Sequence, residues 1–65
     1  MKIYVNGIET LIENNALDAV LAQLGYQDVT IATAINGDFV PLSQRKNCRM
    51  QDSDKLEILA PMQGG

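Results

Sequence analysis

The chain reads as an α+β domain in the order ββαβββ, with one helix covering one face of a mixed sheet. Three observations lead there. Two Asn-Gly pairs, Asn6-Gly7 and Asn36-Gly37, each sit between β-branched or aromatic runs, the strongest short hairpin signal. One stripe, Leu17, Val20, Leu21 and Leu24, recurs at i, i+3, i+4 and i+7, the spacing of one helical face. A single helix can cover only one face of one sheet, which makes two layers.

Lys2 to Asn6 forms the first strand and Ile8 to Glu13 the second. A two-residue turn between them puts Val5 and Ile8 on the same side. Ile3, Val5, Ile8, Thr10 and Ile12 then line the inner face, with Tyr4, Glu9, Leu11 and Glu13 on the outer one. Asn14-Asn15 supplies the helix N-cap, and Asp18 follows Asn15 by three residues, where a carboxylate suits a helix start. Gly25 ends a helix of about ten residues, too short to be stable alone. It must lie on the inner face of the hairpin.

Val29 to Ile35 is the third strand, and Asn36-Gly37 turns it into the short run Asp38-Phe39-Val40. Pro41 cannot donate to a ladder, so this fourth strand is short or lies at an edge. Leu42 to Arg49 is irregular, with room for one helical turn, and Gln51 to Asp54 is a polar turn. Lys55 to Ala60 forms the last strand, with Leu56 and Ile58 inward and Glu57 and Leu59 outward. The first and last strands both carry inward aliphatics and are the natural central pair. Side by side they make a β-grasp. The domain spans residues 1–60, followed by a flexible tail at 61–65 that ends in Gly-Gly.

A chain of 65 residues buries only about 60% of the surface its unfolded form exposes, so a deep substrate cleft would be costly. The single Cys48 excludes an internal disulfide. Asn6-Gly7 interrupts the apolar start before it can serve as a signal peptide. No apolar run approaches the roughly 20 residues needed to cross a bilayer. A soluble, cytoplasmic protein of a reducing compartment, with no membrane partner, is the expectation. Five basic against eight acidic residues give a formal charge of −3, which argues against nucleic acid. Arg45, Lys46 and Arg49 form the one basic cluster, read as a solvated loop.

The chain has no His, so neither a Ser-His nor a Cys-His nucleophile pair can be assembled. Cys48 lies beside Arg49 and near Lys46, which makes it a candidate reactive thiol, although a lone loop cysteine is more often incidental packing. One Cys with scattered carboxylates makes no metal site, and Asp52 and Asp54 serve the turn. Neither Asn-Gly pair belongs to a phosphate-binding strand–loop–helix motif. Two features remain. Tyr4, Leu11, Ala32, Ala34 and Leu59 sit on the sheet face that no helix covers, and a contiguous apolar patch there marks an interaction site. The tail is either a frayed end or a thin, mobile carboxylate that enters a narrow channel in a partner. Its glycines add no packing.

The hairpin, the single helix, the Ala34-Ile35-Asn36-Gly37-Asp38-Phe39-Val40-Pro41 segment, the Asp54-Lys55-Leu56-Glu57-Ile58-Leu59 strand and Gly64-Gly65 together resemble the ThiS family of thiamin-biosynthesis sulfur carriers. The resemblance runs over the whole chain. It implies a ubiquitin-like β-grasp protein that is not itself an enzyme and binds no cofactor. An E1-like (ThiF-like) adenylyltransferase, using ATP and Mg²⁺, would adenylate Gly65. A sulfur-donating enzyme would supply the sulfur of a thiocarboxylate, which thiazole synthase (ThiG-like) would consume. Gly65 is then the reacting residue and Gly64 gives clearance. Tyr4, Ala32, Ala34, Leu59, Met62 and Gln63 are the candidate partner contacts. The family often has Gly where this chain has Ser53, a difference that touches only turn geometry. The molybdopterin-synthase small subunit, carriers for tRNA thiolation or cysteine synthesis, a ubiquitin-like modifier and a plain binding module remain alternatives.

Overall fold

Positive φ at both central residues makes type I′ turns of Asn6-Gly7 (49° and 85°) and Asn36-Gly37 (51° and 87°), and the twist of such turns matches that of the flanking strands. In the computed structural model, which describes residues 1–61, the first turn joins β1 (Lys2–Val5) to β2 (Ile8–Leu11). The second joins β3 (Ala32–Ile35) to β4 (Asp38–Val40). Helix α1 (Leu17–Gln23) lies between the hairpins, a 3-10 helix (Leu42–Asn47) follows β4, and β5 (Lys55–Leu59) comes last.

The strand order is β2-β1-β5-β3-β4. β5 occupies the centre, parallel to β1 through Tyr4–Lys55 and Val5–Leu56 and antiparallel to β3 from Ala32–Leu59 to Ile35–Leu56. The sheet is therefore mixed, and Pro41 follows an edge strand, where its missing N–H costs nothing. The core is Ile3, Ile12, Leu17, Val20, Leu21, Met50, Leu56 and Ile58. The first and last strands contribute Ile3, Leu56 and Ile58, and the helical stripe contributes Leu17, Val20 and Leu21.

The helix has seven residues, and its N-cap is Ala16 rather than Asn15, with no side-chain capping bond. Backbone from residues 48–50 takes over. Leu17 N–H donates to the Cys48 carbonyl at 2.9 Å, Met50 N–H donates to the Asn15 carbonyl at 2.7 Å, and Ala16 bridges Arg49. This pairing also buries Met50, which lies in a stretch that gave no strand or helix signal. β3 begins at Ala32, not Val29. β5 ends at Leu59, opposite Ala32, so residues 29–31 have no neighbour on β5 to pair with, and Asp28 turns the chain with φ 63°.

Ile8 pairs with Val5 on the inner face as expected from the turn, yet it is exposed. The seven-residue helix is only about 10 Å long and leaves the turn end of the edge strand uncovered. Arg45 departs furthest from expectation. It is buried rather than solvated, and its Nε donates to Thr33 Oγ1 at 3.2 Å while Nη2 donates to the Ile31 carbonyl at 2.8 Å. Thr33 Oγ1 in turn donates to the Val40 carbonyl at 2.9 Å. The guanidinium thus ties the 3-10 helix to β3 and β4, while Lys46 and Arg49 stay exposed.

Candidate functional site

β5 alternates between exposed and buried residues along its length. Leu56 and Ile58 point to the helix, so Lys55, Glu57 and Leu59 project from the opposite face. The antiparallel register sets Leu59 against Ala32 and Glu57 against Ala34, and the second hairpin sets Ala34 against Phe39. Leu59 and Phe39 are 73% and 68% exposed, values that leave most of each residue open to solvent. Ala32, Ala34, Phe39 and Leu59 therefore share one region of the helix-free face, around Glu57. The two alanines keep the floor between the large side chains low.

Tyr4 lies on the same face but in different company. It sits opposite Lys55 on one side and Glu9 on the other, and the Lys2 ammonium lies 5.5 Å from its ring centroid. Hydrogen bonding to the Tyr4 phenol, followed by the charges of Tyr4 and Glu9, raises the Lys2 pKa above its ordinary value. Since Tyr4 is level with Lys55, Leu59 lies four residues further along, about 13 Å at the usual strand rise. Leu11 pairs with Lys2, further still from Leu59. The face thus divides into a part at the tail end, where apolar side chains flank Glu57, and a mixed, charged part around Tyr4.

Phe39 went unrecognised in the sequence although its signal was present. A two-residue turn at Asn36-Gly37 obliges Ala34 and Phe39 to pair, so an outward Ala34 implies an outward Phe39. Met62, Gln63, Gly64 and Gly65, assigned to the tail, lie outside the described residues. Cys48 is half-buried and packs against the core. Among the described residues no group of three or more His, Cys, Asp or Glu side chains is placed to hold a metal ion. No helix among them is long and apolar enough to cross a membrane.

A mixed five-stranded sheet with β5 at its centre, crossed on one face by one helix, defines the class: this is a ubiquitin-like β-grasp domain. The fold superposes on the crystal structure of a thiamine biosynthesis protein (ThiS) from Geobacter metallireducens with a TM-score of 0.75, covering 100% of both chains at 23% sequence identity. The chain belongs to the ThiS family, whose model matches residues 3–65. It is also 35% identical, over 66 aligned positions, to a thiazole synthase of Paramagnetospirillum magneticum. That alignment takes in 100% of this chain, which spans 20% of the length of that relative.

Proposed function

We propose that this chain is a sulfur carrier for thiazole formation in thiamin biosynthesis, with Gly65 as the residue that carries the sulfur. The observation that carries this reading is the family match, which extends through Gly64-Gly65, together with a strand that leaves the sheet beside an exposed apolar surface. A carboxylate is a poor acyl donor. In the proposed sequence a Gly65 carboxylate oxygen attacks the α-phosphorus of ATP on an E1-like enzyme, forming an acyl-adenylate and releasing pyrophosphate. A persulfide on a sulfur-donating enzyme then attacks the acyl carbonyl and displaces AMP, giving an acyl disulfide. A second thiol attacks the donor's sulfur, forms a disulfide with it and releases the thiocarboxylate. Mg²⁺ and ATP belong to the activating enzyme.

This chain's own residues recognise and deliver. Leu59, Phe39, Ala32 and Ala34 form the docking surface, and Met62 and Gln63 add contacts along the channel. Gly64, with no side chain, lets the reacting carbonyl pass a narrow opening. Similarity to a protein named thiazole synthase supports that enzyme class as the consumer of the sulfur. The test is a reconstituted thiazole-forming reaction with the cognate activating enzyme, sulfur source and synthase. Deleting Gly64-Gly65 should abolish product while leaving the unfolding midpoint unchanged. Full product from the truncated chain, or activation only by molybdopterin-pathway enzymes, would overturn the assignment.

A further inference from the structure

Both Asn-Gly turns place a carboxamide against β5, and each does more than the turn requires. Asn6 Oδ1 accepts the Ile58 N–H at 2.8 Å, and Asn6 Nδ2 donates to the Ile58 carbonyl at 3.2 Å. The backbone N–H of Asn6 donates to the Leu56 carbonyl at 2.9 Å. β1 pairs with β5 only at Tyr4–Lys55 and Val5–Leu56, because the chain turns away at Gly7. The Asn6 side chain thus stands in for the missing strand and serves both backbone groups of one more β5 residue. Those groups point toward β1, so β3, on the other side, cannot take them.

Asn36 does the corresponding work where β5 begins. Its Oδ1 accepts the Lys55 N–H at 3.0 Å, its Nδ2 donates to Asp54 Oδ1 at 3.0 Å, and its own N–H donates to the Lys55 carbonyl at 2.8 Å. A type I′ turn needs only residues that tolerate positive φ, and Asp-Gly or Gly-Gly meet that need. Ile58 offers one donor and one acceptor. A carboxamide answers both, a carboxylate only the donor, and glycine neither.

We propose that Asn6 is a positioning residue for the tail: it holds the β1 side of Ile58 and, with the Ala32–Leu59 pair on the β3 side, sets the direction in which the chain leaves the sheet. This rests on the carrier reading above. Leu59, the next residue, keeps its partner on β3, so docking survives the loss of the Asn6 carboxamide, whereas delivery of the carboxylate does not.

The test compares Asn6→Gly, which keeps the turn and removes the carboxamide, with Asn36→Gly, which loosens only the start of β5. Native-state hydrogen exchange should show the Ile58 amide exchanging about tenfold faster in N6G, the equivalent of one hydrogen bond, with the Asn36 amide unchanged. In steady-state activation by the cognate adenylating enzyme, N6G should lower kcat with KM unaltered, and N36G should lower neither. Asn6→Asp serves if N6G fails to fold; it keeps the acceptor for the Ile58 N–H, loses the donor to the Ile58 carbonyl and should show a smaller kcat loss, again with KM unaltered. An unchanged Ile58 amide, or equal kinetic losses in N6G and N36G, would overturn the proposal. Failure of the carrier reading looks different: the unsubstituted chain would not be activated at all, while the Ile58 exchange result would stand.

Discussion

Leu59 stands opposite Ala32 at the end of the β3–β5 ladder, on the face that the helix leaves bare, whereas Ile58 one residue earlier is buried. The chain therefore changes from core-building to solvent-facing within a single residue, just before the tail. Leu59→Glu should keep the fold, because its side chain contributes nothing to the core. It should lower kcat/KM for activation about tenfold, as loss of a central apolar contact does. Circular dichroism and thermal unfolding check the first expectation and pyrophosphate exchange the second. An unfolded variant, or one activated normally, contradicts the placement of the docking surface.

Arg45 concerns stability rather than docking. With its guanidinium serving Thr33 Oγ1 and the Ile31 carbonyl, truncation leaves buried polar groups without a partner. Arg45→Ala should destabilise the domain by about 1–3 kcal/mol in urea unfolding. Arg45→Lys should recover only part of this, since an ammonium lacks the planar fork that reaches two acceptors. A change within error in Arg45→Ala would show that the residue is solvated.

Asp52 gives a pH dependence. Its Oδ1 accepts the Lys2 N–H at 3.0 Å and its Oδ2 accepts the Ser53 hydroxyl at 3.3 Å. The bond from the Lys2 backbone is the main cause holding its carboxyl below the ordinary aspartate value. A carboxyl with a depressed folded pKa binds its proton more weakly in the native state. Its stabilisation is present above the unfolded pKa and is lost as the pH falls through the folded one. Stability measured by urea unfolding should therefore drop on acidification through and below the usual carboxylate range. Asp52→Asn, which keeps an acceptor but cannot titrate, should flatten part of that slope; an unaltered acid slope contradicts the assignment.

What the sequence disclosed, and what it did not, follows from how local each signal is. The two hairpins and the alternation of β5 rest on turn chemistry and on parity, which neighbouring residues decide. Leu56, Ile58 and Leu59 accordingly fall on the faces expected. Burial of Arg45 depends on Thr33, twelve residues earlier, and burial of Met50 on the backbone of Asn15. Neither pairing is written in a local pattern, because the partners lie on different elements that meet only in the fold. The helix cap was misplaced for the same reason, since residues 48–50 supply what Asn15 was expected to supply. Asn6 and Asn36 signal only turn formation in the sequence, because their second role appears once β5 lies between the hairpins. Phe39 was legible, and needed only the pairing that the second turn imposes on Ala34.

A sulfur carrier of this kind must have Gly65 chemically activated and loaded with sulfur. Intact-mass spectrometry of the chain tests it, after incubation with ATP, Mg²⁺, the cognate activating enzyme and a sulfur source. The same spectrum establishes whether Gly65 is the terminal residue of the protein. The expected result is a mass gain equal to replacement of one oxygen by sulfur, located by fragmentation on Gly65. An unchanged mass under conditions where the activating enzyme is competent, or sulfur located on Cys48 instead, would contradict it.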